Sequence, residues 1–261
     1  MEKITSEKKK LGKKPVESYL YSSDKERIVE LVLKMGSMVA EALKNAVDAF
    51  MKQDMELAWK IVTDDDDVDA MEEEIDLECL RSIAMRQPVR EELRFIFAVL
   101  KTITDLERIG DQSVNIAKWS IELEKYPRIE VNPMIPEMRD IAEAMLRDAL
   151  EAFKSADGDI SVEICLRDEE LDRRYSKVFN AFIEMMASYK NGDTNIVHAV
   201  TGQMWMARHL ERVGDHVTNI AERVYFMEKG ENLAKSKDEF PKRKAPLLDE
   251  MPILPADEER G

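Results

Sequence analysis

The chain has 261 residues, 44% of them hydrophobic and 36% charged, and a formal net charge of −15. That charge argues against non-specific nucleic-acid binding, which depends on cationic contacts to phosphate, and no run approaches the ~18 apolar residues that span a bilayer. The lysines Lys8, Lys9, Lys10, Lys13 and Lys14 are not followed by an apolar stretch, and Cys79 and Cys165 are too few for a disulfide framework, so the reading is a cytoplasmic protein with buried thiols and no secretory signal.

High charge, few glycines and many Ala, Leu, Met and Glu residues favour long helices. The nine prolines mark where those helices stop. Residues 1–22 read as a flexible basic arm. Ser22, Ser23 and Asp24 offer caps for a first helix from about 25 to 53. A second is expected from about 55 to 86, ending where Gln87 and Pro88 break it. Pro88 suits the first turn of a third helix, which runs to about 124. The stretch 126–136 holds Pro127, Pro133 and Pro136 and reads as a linker, its core being 127–136. A fourth helix is expected over about 137–156, a turn at Gly158, and a fifth helix over about 159–190. Asn191, Gly192 and Asp193 signal another turn. The sixth helix runs to about 229 and stops at Gly230, and 231–261 reads as a disordered charged tail.

The sequence of residues 106–117, LERIGDQSVNIA, returns as LERVGDHVTNIA at 210–221, a shift of 104 residues (210 − 106). The repeat reaches further: DAF at 48–50 falls on EAF at 151–153, and DDDVD at 65–69 on DEELD at 168–172. An internal repeat fixes the architecture before any local reading does. The expected fold is all-α, two homologous antiparallel three-helix bundles in tandem, over 23–126 and 137–230.

On a wheel of 100° per residue with Leu106 at the origin, the apolar letters of the repeated segment form one buried stripe. Glu107, Asp111 and Asn115 form an i, i+4, i+8 row along its edge, at about 100°, 140° and 180°. Glu211, Asp215 and Asn219 repeat that row. The second helix of each half supplies a matching acidic i, i+4 pair, Asp65 with Asp69 and Asp168 with Asp172. If each pair faces its row across the groove, four carboxylates converge once per half. Such a concentration of like charge calls for cations or protons. Oxygen donors suit magnesium, manganese, iron or zinc. Gly110 and Gly214 each cost about 1 kcal/mol inside a helix, so a close helix approach is expected at both. His216 stands beside Asp215 as a possible accessory ligand, but its counterpart is Gln112, which leaves open whether the two sites bind alike. Asn115 and Asn219 are further accessory candidates. His198 and His209 read as surface or structural, and Trp59, Trp119 and Trp205 as core or interface packing. Arg108 and Arg212 are expected to pair with acids.

No phosphate-binding glycine loop, nucleophile elbow or Cys-x-x-Cys is present. A carboxylate-bridged di-metal oxidase would need Glu three residues before a histidine, but Asn195, Met206 and Val213 stand there. The chain therefore does not read as an enzyme. The remaining alternatives are a metal-containing adaptor and a metal-free helical scaffold.

The two repeated segments, the run RQPV at 86–89 with Leu93 and Arg94, and the pairs Asp65/Asp69 and Asp168/Asp172 resemble the motifs of the PhoU family, in the family's order, over about residues 25–230. That resemblance implies a pair of three-helix bundles, a homodimer, and multinuclear iron or zinc clusters at the acidic motifs, as in some members. It also implies a negative regulator of phosphate uptake and of starvation signalling. Such a regulator acts with the ATP-binding subunit of the phosphate transporter and with the phosphate-sensing histidine kinase, and meets the membrane only through them. The basic arm and the tail depart from the family pattern.

Overall fold

The structure is a computed structural model that describes residues 16–188 and 194–233. The arm up to residue 15, the turn at Asn191, Gly192 and Asp193, and the tail from 234 lie outside the described residues. Among those described there are seven helices and no strand: α1 (Val16–Lys52), α2 (Met55–Thr63), α3 (Asp65–Arg86), α4 (Glu91–Leu123), α5 (Met134–Ser155), α6 (Asp159–Ser188) and α7 (Thr194–Lys229).

Two boundaries differ from expectation at the amino-terminal end. The first helix begins at Val16, well inside the stretch read as an arm. The expected second helix is two, because the chain breaks at Asp64, whose ψ is 0°. The cause lies in charge. Asp65, Asp66 and Asp67 form the first turn of α3, where the positive end of the helix dipole favours acids. Kept in mid-helix they would repel one another, and their i+4 neighbours Asp69, Ala70 and Met71 offer no cation. The matching run in α6 stays unbroken, with Arg173 at 3.8 Å from Glu169 and Arg174 at 2.8 Å from Glu170, both at i+4.

Two other ends show ordinary capping chemistry. Asp54 caps α2 by accepting from the Leu57 N–H at 3.0 Å. Gly230, at φ +75°, ends α7 with its N–H on the Phe226 carbonyl at 2.9 Å. Pro88 does not open α4, which starts three residues later after the left-handed Gln87 and Arg90.

Helices α1 to α4 form the first bundle and α5 to α7 the second. The bundles meet along α4 and α7, the two copies of the repeated segment, which make the most extensive of all the helix pairings. Buried Leu106, Ile109, Ile116 and Ala117 on α4, with Leu210, Val213, Ile220 and Ala221 on α7, belong to one continuous core. The linker is clamped onto α7 by buried Gln203, whose amide donates to the Glu130 carbonyl and accepts from the Asn132 N–H, both at 2.9 Å. Cys79 is fully buried, and burial first, then Asp76 and Glu78, pushes its thiol pKa up to about 12, whereas Cys165 is only half-buried. Trp59, expected in the core or at an interface, is 57% exposed and so not in the core. Trp119 and Trp205 stack on each other between α4 and α7 at 6.2 Å.

Candidate functional site

Acids of the rows and pairs lie within electrostatic reach of one another in the grooves between α3 and α4 and between α6 and α7. In the first, the Asp65 carboxylate points at α4 over Gly110. Burial first, then the charges of Asp69 and Asp111, raise the Asp65 pKa above the usual carboxylate range. Glu107 is raised by burial, then by Asp111, with Glu72 and Asp69 adding to it and Arg108 opposing. Arg108 reaches Glu107 at 3.3 Å and Asp111 at 3.1 Å, as its sequence position suggested. Glu72 is a groove acid that sequence reasoning missed. It lies one turn beyond Asp69 and accepts from the Thr104 hydroxyl at 3.0 Å.

The second groove is drier. Asp168 is 5% exposed and Glu211 8%. Burial, then Asp215, Asp172 and Asp168, raise the Glu211 pKa to about 7 against the opposing Arg208. Arg208 contacts both Glu211 carboxylate oxygens at 2.6 Å. Its guanidinium also lies 5.8 Å from the Tyr175 ring centroid. The repeat explains the contrast between the grooves. Where the first has Glu72 and Thr104, the second has Tyr175 and Arg208. The first groove thus holds an extra acid beside Arg108, and the second has an arginine, Arg208, where the first has a threonine.

The two glycines also differ. A Cβ on Gly214 would stand 2.6 Å from Asp168 Oδ1 and 2.6 Å from Leu171 Cδ2, so only glycine admits the α6 acid this close to α7. A Cβ on Gly110 would meet nothing nearer than Val68 Cγ1 at 3.5 Å, ordinary contact. The close approach expected at both positions exists at one.

His216 does not turn into the second carboxylate groove. Its Nδ1 lies 3.0 Å from Asp105 Oδ1 on the seam between the bundles, where Asn219 Nδ2 also donates to Asp105 Oδ1 at 3.0 Å. The aspartate across the seam is thus the partner of its Nδ1. The seam repeats itself: His209 is the counterpart of Asp105, and Gln112 of His216. His209 Nδ1 sits 2.9 Å from Gln112 Oε1, while Gln112 Nε2 donates to the Arg108 carbonyl. Gln112 Oε1 is therefore the acceptor, and His209 carries a proton on Nδ1. Burial, with Arg212 and Arg208, lowers the His209 pKa to about 4. Asn115 is half-buried on α4. His198 stacks on Tyr126 at 4.8 Å. A double-mutant cycle of Asp105→Ala with His216→Ala, read by denaturant unfolding, is expected to show about 1–2 kcal/mol of coupling across the seam. Additive losses would remove that contact from the account.

Among the described residues, no three His, Cys, Asp or Glu side chains are gathered tightly enough, as they stand, to hold one metal ion. The carboxylates share each groove without converging on a single point. Asp69 and Asp172 lie at the exposed lip. The donor set fits a hard cation: oxygen only, partly desolvated, and with protonation already favoured at Asp65, Glu107 and Glu211.

The PhoU domain as a family matches this chain twice, over residues 32–120 and 135–224. The chain belongs to the PhoU family. It is similar to the phosphate-specific transport system accessory protein PhoU homolog of Clostridium acetobutylicum, 34% identical over 82% of this chain and 96% of that one. It is equally similar to that of Pseudomonas putida, 34% identical over 82% of both chains. The crystal structure of PhoU from Pseudomonas aeruginosa matches with a TM-score of 0.76 and 32% identity, over 81% of this chain and all 100% of that one. The phosphate transport system regulatory protein PhoU from Streptococcus pneumoniae matches with a TM-score of 0.75 and 27% identity. The two family matches coincide with the two bundles and contain Asp65, Asp69, Glu107 and Asp111 in one, and Asp168, Asp172, Glu211 and Asp215 in the other.

Proposed function

We propose that this protein is an accessory regulator of phosphate uptake that restrains transport and starvation signalling when phosphate is plentiful. The observation that carries the reading is the tandem PhoU match, which spans both bundles, together with relatives named as accessory proteins of the phosphate-specific transport system. It works in the cytoplasm, and no helix among the described residues is long and apolar enough to cross a membrane. Its partners are the ATP-binding subunit of the phosphate transporter and the phosphate-sensing histidine kinase, and it acts as a homodimer. It performs no catalysis of its own.

Each groove takes a cation. Asp65, Asp69, Glu107 and Asp111, with Glu72 beside them, would hold it in the first bundle, and Asp168, Asp172, Glu211 and Asp215 in the second. Bound metal would supply the positive charge that lets adjacent helices close on each other, fixing the surfaces offered to partners. The eight acids offer oxygen donors only, and the cation is iron or zinc, with manganese and magnesium as alternatives. The extra acid Glu72 and the absence of a counterpart to Arg208 favour the first groove for the higher occupancy. Titrating the metal-free protein with manganese is therefore expected to fill the first groove before the second, with Asp111→Ala removing the tighter phase and Asp215→Ala the weaker. The reverse order would contradict the charge argument.

The regulatory reading is tested by co-purification of the tagged full chain with the transporter ATP-binding subunit and with the sensor kinase, at high and at low phosphate. Recovery of at least one at high phosphate is expected. Recovering neither, in cells where deleting the gene leaves phosphate uptake unchanged, would overturn the assignment.

A further inference from the structure

The repeat seals one end of the second bundle and leaves the matching end of the first open. In both halves a helix ends at a residue of positive φ, Gln53 at 55° and Ala156 at 54°. The aspartate after it donates its N–H to an equivalent carbonyl, Asp54 to Ala49 at 2.9 Å and Asp157 to Ala152 at 3.0 Å. The next helix then begins, at Met55 in the first half and at Asp159, just past Gly158, in the second.

In the second half this start is closed against α7. The Gly158 N–H donates to Glu228 Oε2 at 2.7 Å, and the Asp159 N–H to Asp157 Oδ1 at 3.0 Å. Lys229 bridges Glu228 and Asp159, each at 3.1 Å. Glycine permits the closure, since a Cβ on Gly158 would stand 2.8 Å from Glu228 Oε2 and 3.0 Å from the Tyr225 Cα. In the first half Met55 stands in the register of Gly158, and Glu124 in that of Glu228. Met55 brings the Cβ that such a seal excludes. Helix α4 also stops at Leu123, so Glu124 falls just beyond it, whereas Glu228 lies within α7. Asp54 accepts from the Leu57 N–H, and no described side chain accepts from the N–H of Met55. As the first residue of α2, Met55 has no partner for that N–H inside its own helix either.

The unsealed end is a cavity of about 270 Å³. Phe50, Met55 and Leu123 from the first bundle, Ile129 and Val131 from the linker, and Ala199 from α7 give it apolar walls. Arg128 also lines it, exposed and with no acid paired to it among the described residues. A cavity of about 150 Å³ accommodates benzene, so this one suits on the order of eleven heavy atoms.

We propose that this cavity binds a small monocarboxylate with an apolar ring or branched tail, its carboxylate accepting from the Met55 N–H beside Arg128 as Glu228 accepts from Gly158. Arg128 and Glu124, which both line the cavity, offset each other, so it is the sealed copy that selects the ligand's charge. There a carboxylate of the chain itself occupies the equivalent place, where free N–H groups and the helix dipole favour an anion. The apolar walls hold the rest of the molecule, as in ligand pockets generally. The occupant would touch both bundles and the linker at once. The site stands whether or not the acidic grooves hold metal.

The probe is 3-phenylpropanoate, titrated calorimetrically into the full chain beside two compounds of similar shape, the neutral 3-phenylpropanamide and the cationic 3-phenylpropylamine. The acid is expected to bind about tenfold more tightly than either, the difference a charge-assisted hydrogen bond makes. Arg128→Gln, at an exposed position, is expected to weaken the acid about threefold and to leave the amide unchanged. Met55→Trp fills the cavity and is expected to abolish binding of acid and amide alike, with helicity by circular dichroism retained. No binding of the acid at millimolar concentration would overturn the proposal, as would equal affinity for acid and amide. Tighter binding of the amine would overturn it by making Glu124 the recognising group. Wild-type affinity in both Arg128→Gln and Met55→Trp would place the acid elsewhere and overturn it too.

Discussion

Valine at position 214 is expected to destabilise the protein by about 3 kcal/mol, and alanine there by about 1, whereas alanine at position 110 is expected to stabilise it by up to about 1 kcal/mol. The two glycines occupy the same place in the repeat, so propensity alone predicts identical outcomes. Geometry separates them. A side-chain carbon on Gly214 would intrude to 2.6 Å on the buried Asp168 and Leu171, whose side-chain ends would have to shift. Overpacking of this kind typically costs about 1–3 kcal/mol, and alanine recovers about 1 kcal/mol of helix propensity against it. At Gly110 the nearest atom stands at 3.5 Å, so the propensity gain is kept. Urea unfolding of the three variants checks this. Gly214→Ala proving as stable as Gly110→Ala would contradict the asymmetric packing of the grooves.

The second large effect concerns pH. Glu211 has its pKa raised from 4.5 to about 7, chiefly by burial, among Asp215, Asp172, Asp168, Arg208 and Tyr175. A carboxyl group raised in the folded state binds its proton more tightly there than in the unfolded chain. Its contribution to stability is full below pH 4.5 and is lost as pH rises through about 7. Glutamine stays neutral throughout, so Glu211→Gln is expected to gain about 3 kcal/mol relative to wild type between pH 4.5 and 8. The neutral His209 works in the opposite sense. Its pKa is lowered from 6.5 to about 4, so its contribution is full above pH 6.5 and is lost as pH falls towards 4. The two slopes oppose each other over the shared range, and the difference between Glu211→Gln and wild type is the informative curve. A flat difference curve would mean that the Glu211 carboxyl is hydrated and not held among its acidic neighbours.

The repeat made the architecture legible, because two copies of one segment demand two like bundles, and the helical wheel placed the buried stripe and the acidic row of α4 correctly. The break at Asp64 was encoded less obviously, in the absence of cations four residues beyond the acidic run. The arginines that keep α6 whole show what is missing. Glu72 was obscured because its counterpart is Tyr175 and the repeat gave it no support. His216 looked like a ligand because it follows Asp215. On a helix, however, consecutive residues point about 100° apart, which sends it to the seam and Asp105. The exposure of Trp59, Leu80 and Val89 has no sequence-level signature, because an apolar letter reads the same whether a neighbour covers it or not.

The central claim is that acidic side chains from adjacent helices share a groove in each bundle where cations neutralise them. Metal content of protein purified with iron, manganese and zinc supplied at micromolar concentration tests it most directly, for wild type, Asp111→Ala, Asp215→Ala and the double variant. The account predicts bound metal in wild type, partial loss in each single variant and complete loss in the double variant, with helicity retained in all four. A wild type that carries no transition metal, or a double variant that keeps the wild-type amount, would contradict it.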